Sequence, residues 1–259
     1  MEFSKVDLVR HLAKTLGYSN YLEITTGTTG GAYDKAMESG FATCRRVVYL
    51  ASNGRDDRLP IDFREEEDRI EPAMAALAAD RVPVDIIMVD PHHTYEDSLR
   101  DISAAFELVR PGGALVVHDC GPRSAKEASR APHRDSWCGL TYRAFLDFVF
   151  KTPGLIYFTL DRDLGCGVIL KHGPGIAGRG TGLTAHEKAL RAQWLALDAD
   201  DDATYAFFDA HRRELLRLIG PRPLVAHFSG RHPMRALGRW SLAARLWHLP
   251  FRLARRLGW

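Results

Sequence analysis

Residues 84–120 read VDIIMVDPHHTYEDSLRDISAAFELVRPGGALVVHDC, and this stretch decides the fold. The apolar run Ile86 to Val89 stops at Asp90, and the run Ala114 to Val117 stops at His118 and Asp119. Short, continuous apolar runs suit strands buried on both faces, as in a parallel sheet. Between them Ser98, Ile102, Ala105, Phe106 and Val109 recur at helical spacing, and Pro111, Gly112 and Gly113 are expected to end that helix and turn the chain back. The unit is a βαβ crossover with parallel strands. Ionisable residues therefore stand where two strands leave a sheet.

Outward from this unit the same alternation continues. Ser4 to Leu16 is an amphipathic helix with Ser4 as its N-cap and Gly17 as its stop. Tyr21 to Ile24 is a strand, followed by the Thr/Gly-rich turn TTGTTGGAYDKAM and a helix near Tyr33 to Glu38. Strand, tight turn and helix place backbone N–H groups under an anionic or polar ligand. Arg46 to Leu50 and Leu59 to Phe63 read as further strands, and Glu65 to Asp68 open a helix running to Ala79. Such alternation calls for an α/β fold with a doubly wound, mostly parallel Rossmann-like sheet.

Beyond Cys120, about seventeen residues from Gly121 to Trp137 make a long connection, the kind that is usually functional or mobile. Thr141 to Phe150 reads as a helix, and Leu155 to Leu160 with Gly167 to Leu170 as an antiparallel pair finishing one sheet edge. This domain spans residues 1–172. GPGIAGRGTG, within 173–182, is a linker by composition. Residues 183–259 form a helical, basic extension, with helices expected over Thr184 to Leu197 and Ala203 to Ile219.

The 259 residues are 46% hydrophobic and 26% charged, which excludes wholesale disorder. A net charge of +2 gives no global case for nucleic acid. Charge is uneven, since Arg231 to Trp259 carries seven arginines and no acid, interleaved with Trp240, Leu246, Trp247, Phe251 and Leu253. That composition suits a helix at an anionic membrane surface, or one packed on the domain or in a homodimer. Four cysteines without a CxxC pair argue against structural zinc and dense disulfides. With no signal-peptide core and no run approaching a bilayer span, the expectation is a cytoplasmic protein, with peripheral contact at the inner membrane surface through the basic segment.

YLEITTGTTGG followed by the 84–120 segment resembles the class I S-adenosylmethionine-dependent methyltransferases. The likeness is to the small-molecule O-methyltransferase branch, whose strands end in D-x-x-H-x-Y and H-D, and it covers Tyr18 to Leu170. WCGLTYRAFLDFV and LDRDLGCGVIL are similar to segments of uncharacterised bacterial members. The resemblance implies S-adenosylmethionine as cofactor, held by Glu23, Thr25, Gly27, Thr29, Gly30, Asn53 and Asp90. Thr25 and Thr29 stand where the family turn has glycine, and no acid ends the second strand, so the ribose diol is expected to meet Asn53, or Asp56 or Asp57 reaching from the loop.

The resemblance also implies that Asp90 and Asp119 lie on neighbouring strands. Converging carboxylates repel unless a cation or proton joins them. A divalent ion, Mg²⁺ foremost, held by Asp90, His118 and Asp119 would orient an acceptor hydroxyl and lower its pKa. Against this, Asp90 can simply cap the following helix and Asp119 contact a backbone turn. His93, matching the D-x-x-H motif, is a general-base candidate, neutral near physiological pH, beside the catalytic pair Asp90 and Asp119; a loop histidine can also be a surface hydrogen-bonding group. Tyr95 and Trp137 are candidate walls of the acceptor pocket, and Cys120 and Cys138 are buried packing groups. The expected function is O-methylation of a small hydroxylated molecule or glycan. The alternative is a protein of the same fold, without methyl transfer, that serves as a binding or scaffold module.

Overall fold

The computed structural model describes residues 3–26, 31–49, 63–64, 70–80, 83–133, 136–173, 183–197 and 200–228. The expected cofactor residues Gly27, Thr29, Gly30, Asn53, Asp56 and Asp57, the 174–182 part of the linker and the arginine-rich segment after Phe228 lie outside them.

Ser4 caps helix α1 (Lys5–Leu16), its side chain accepting from the Asp7 N–H while the Asp7 carboxylate accepts from the Ser4 N–H, and Gly17 closes the helix in the left-handed region at φ 71°. The chain then enters β1 (Asn20–Thr25), α2 (Gly31–Met37), β2 (Thr43–Val48), the two-residue β3 (Phe63–Arg64) and α3 (Glu71–Ala79). The decisive segment forms β4 (Val84–Asp90), α4 (Tyr95–Leu108) and β5 (Val109–Val117). After α5 (Thr141–Lys151) come β6 (Ile156–Leu160), β7 (Cys166–Leu170), α6 (Ala185–Leu195), α7 (Asp201–Leu215), β8 (Leu218–Ile219) and α8 (Pro221–Phe228).

The strands form one sheet in the order β3-β2-β1-β4-β5-β7-β6-β8. Every pairing is parallel except the two made by β7, whose hairpin with β6 closes this side of the sheet, with the short β8 added outboard. This is the doubly wound α/β architecture. Side chains alternate across it as strands require. Ile87, Val89, Leu115 and Val117 pack with α3, α4, α5, α6 and α7, and Ile86, Met88, Ala114 and Val116 with α1, α2 and α8.

Two local expectations differ from the structure. Val109 to Gly113 belong to β5 rather than to a helix end and turn: Val109 pairs with Val84, and the register then shifts before Ile86 meets Ala114. The shift lets Gly113 pass so close to β4 that a Cβ there would lie 2.5 Å from the Asp85 carbonyl oxygen. The second helix of the extension stops at Leu215, because Leu218 and Ile219 pair with Thr159 and Leu160 of β6. Leu190, Trp194, Phe208 and Leu215 of α6 and α7 are buried in the same core as the sheet.

Candidate active site at the strand ends

Strands β4 and β5 are parallel neighbours, so their C-terminal ends lie side by side. Asp90 ends β4, and Asp119 follows β5 in a left-handed conformation at φ 59°. His93, in the loop after β4, also has positive φ, 61°. Non-glycine residues are uncommon there and carry some strain, although aspartate and histidine are among those that adopt it most readily.

The strain converges side chains. His93 Nε2 lies 2.9 Å from Asp119 Oδ2 and 3.7 Å from Asp90 Oδ1. His118 Nδ1 lies 2.8 Å from Asp119 Oδ2 and 3.4 Å from Asp90 Oδ1. Lys5, the first residue of α1, places Nζ 2.6 Å from Asp90 Oδ2. Asp90, His93 and Asp119 each bring a ligand-type atom within 4.8 Å of the others.

Charge in the cluster follows from this proximity. Burial would lower the pKa of His93, but Asp119 and Asp90 outweigh it and raise the imidazole to about 9. Burial likewise opposes protonation of His118, and the same two carboxylates hold it well above its ordinary range. Burial pushes the Asp90 carboxyl up, yet His118, His93 and Lys5 together hold it well below the usual range. Beside two carboxylates, His93 and His118 are both held toward their protonated forms. Together with Lys5 they set positive charge against Asp90 and Asp119.

The surroundings position this cluster. Tyr49, just past β2, accepts the His92 N–H at 3.0 Å and donates to the buried Asp101 of α4, which pins the loop between β4 and α4. The Leu140 N–H donates to the His93 carbonyl at 2.8 Å. Gly139 sits so near that a Cβ on it would lie 2.2 Å from that carbonyl. Trp137 presents its ring 5.1 Å from the His93 ring, and Cys138 Sγ lies 3.6 Å from Asp119 Oδ1. Tyr95 instead donates to Asp147 at 2.7 Å, on α5. The 121–137 connection is folded back by its own bonds, Cys138 and Gly139 N–H to the Glu127 carbonyl and Trp137 Nε1 to the Ser129 carbonyl.

Residues 8–120 match the model of a family described as a methyltransferase domain. No curated protein matches the chain. Among solved structures, an O-methyltransferase from Bacillus cereus in complex with SAH aligns at 15% identity over 64% of this chain and 80% of that one, TM-score 0.44. TomG from Streptomyces achromogenes, an O-methyltransferase involved in tomaymycin synthesis and solved with SAM, aligns at 19% over 65% and 80%, TM-score 0.45. MycE of the mycinamycin pathway, solved with Mg, SAH and mycinamycin VI, aligns at 18% over 69% and 50%, TM-score 0.43.

The described cofactor candidates lie in two settings. Thr25 and Asp90 are register partners at adjacent strand ends, and Asp90 carries Lys5 Nζ at 2.6 Å. Glu23 is 2% exposed, accepts from Tyr21 Oη at 2.9 Å and faces Arg46 at 3.5 Å. Burial pushes its carboxyl up to about 7 against the pull of Arg46. Sequence reasoning missed Lys5, Asp163, Tyr49 and Gly139. Gly139, inside the quoted WCGL, and Asp163, inside the quoted LDRDLGCGVIL, stood in segments that carried a signal.

Proposed function

We propose that the protein is an S-adenosylmethionine-dependent O-methyltransferase acting on a hydroxyl of a small molecule or glycan, assisted by a divalent cation such as Mg²⁺ at Asp90 and Asp119. The single observation that carries this reading is the convergence of Asp90, His93 and Asp119 on the rim of two parallel strands in a methyltransferase-family domain. Thr25 and Asp90 would hold the cofactor, which when bound supplies an electrophilic methyl group. Asp90 and Asp119 would hold the cation, which when bound would supply Lewis acidity toward an acceptor hydroxyl. With those carboxylates neutralised, His93 would release its own proton to solvent and would then be free to accept the hydroxyl's proton. Trp137 bounds the space beside it.

Incubation with methyl-labelled S-adenosylmethionine and a panel of small hydroxylated molecules, sugars included, tests the proposal. Label is expected in an acceptor, and Asp119→Asn is expected to slow transfer by about 10²-fold or more. Absence of transfer to any acceptor by a folded protein that binds the cofactor would leave the acceptor unfound; failure to bind the cofactor would overturn the reading. The second reading is a binding or scaffold module. It is favoured by one observation, that Lys5 and the two histidines already neutralise the acidic pair.

A further inference from the structure

His118 faces two ways. Its Nδ1 is committed to Asp119, but its buried Nε2 makes no hydrogen bond although Asp163 Oδ1 stands 3.4 Å away. Cys166, fully buried at the start of β7, completes a second trio: His118, Asp163 and Cys166 each bring a ligand-type atom within 4.8 Å of the others. We propose that these three residues bind a zinc-class divalent ion through His118 Nε2, Asp163 Oδ1 and Cys166 Sγ, the ion displacing the Nε2 and thiol protons to solvent.

The donor set selects the ion class. A thiolate beside an imidazole and a carboxylate suits zinc or another borderline ion, whereas Mg²⁺ and Ca²⁺ take oxygen ligands. Second-layer contacts aim the donors. Asp119 at Nδ1 orients the ring so that Nε2 points at the site, the carboxylate–histidine pairing common behind zinc ligands. Asp163 Oδ2 accepts the Lys5 N–H at 2.8 Å, which leaves Oδ1 for the ion.

The backbone is built around this placement. Asp163, Leu164 and Gly165 are consecutively left-handed, at φ 52°, 56° and 83°. The turn is clamped to the end of β5 by Cys120 N–H to the Gly165 carbonyl at 2.8 Å and Gly121 N–H to the Leu164 carbonyl at 2.7 Å. A Cβ on Gly165 would come within 2.5 Å of Gly121 N. A strained β6–β7 turn is thus pressed against the strand end that carries His118, and two donors ride on it. With the Asp163 side chain 33% exposed and three protein ligands, a fourth position opens to water or a small ligand. The site adjoins the Asp90 cluster through His118, whose Nδ1 faces Asp119 and Asp90, and through Lys5, and it does not depend on methyl transfer.

Cobalt(II) serves as the probe, titrated into the metal-stripped full-length protein, because cobalt–thiolate charge transfer absorbs in the near ultraviolet. The expected result is a saturable thiolate band that zinc displaces. It should be abolished in Cys166→Ser and weakened about tenfold or more in Asp163→Asn. It should persist in Cys138→Ser and Asp90→Asn, which lie in or beside the other cluster. Far-ultraviolet dichroism and metal-free melts check that each variant is folded. A band that survives Cys166→Ser, or vanishes in Cys138→Ser, would put the ion elsewhere and overturn the proposal, as would no cobalt uptake at all.

Discussion

At the scale of single residues, the rim is a problem in charge. Asp90 and Asp119 are forced together by neighbouring strands, and Lys5, His93 and His118 answer them. Lys5 competes for Asp90 with any cation bound there, so Lys5→Met is expected to tighten Mg²⁺ binding by about tenfold, or about 1.4 kcal/mol. Unchanged or weaker binding by calorimetry would contradict a cation at Asp90. Glu23 gives a separate pH signature. Its carboxyl is pushed from an ordinary 4.5 to about 7 by burial, so the folded state binds its proton more tightly than the unfolded state. The stability this contributes is present below about pH 4.5 and is lost as pH rises through about 7. Glu23→Gln, which cannot ionise, should flatten the decline between about pH 5 and 7. Urea melts across that window check it, and an undiminished slope would assign the decline to other groups.

Elements carry these residues to one place, and here the sequence was uneven in what it revealed. The βαβ unit and its two acidic strand ends were legible because apolar runs and their abrupt polar ends are local patterns. The stretch Val109 to Gly113 was not. Pro and two Gly read as a turn, yet the register shift against β4 accommodates them within a strand. Lys5 and Asp163 escaped for another reason: Lys5 lies 85 residues from Asp90, and Asp163 meets Lys5 and His118 only through the sheet's topology. Gly139 belongs to the same class of long-range fit. Adding a methyl group at φ 52° against the His93 carbonyl is expected to cost about 2 kcal/mol and to displace the loop that carries His93. Gly139→Ala should therefore lower both the melting temperature and the transfer rate, whereas wild-type stability would show that the 138–140 segment does not brace the site.

Over the whole molecule, one sheet organises everything described. The pairing of β1 and β4 at its centre brings Thr25 beside Asp90, and β5 with the β6–β7 turn brings His118 beside Asp163 and Cys166. α6, α7 and β8 pack on this same body, and Arg212 of α7 donates to the Gly121 carbonyl at 3.2 Å, bracing the connection after β5. No helix among the described residues is long and apolar enough to cross a membrane. The arginine-rich segment from Arg231 onward was legible only as composition, since a charged amphipathic pattern suits a membrane surface and a packed helix alike. Fold class was readable because periodicity repeats along the whole domain; the cation economy of the rim was not, because it depends on which distant lysine and histidines reach the same two carboxylates.

The central claim is tested most directly by calorimetric titration of the purified protein with S-adenosylmethionine, with and without Mg²⁺, for wild type and Asp90→Asn. The account predicts saturable cofactor binding that Mg²⁺ leaves intact, a separate Mg²⁺ heat, and loss of both in Asp90→Asn. No cofactor heat from a demonstrably folded wild-type protein would contradict it, and would leave the ion-paired rim as part of a binding module that keeps the fold without the reaction.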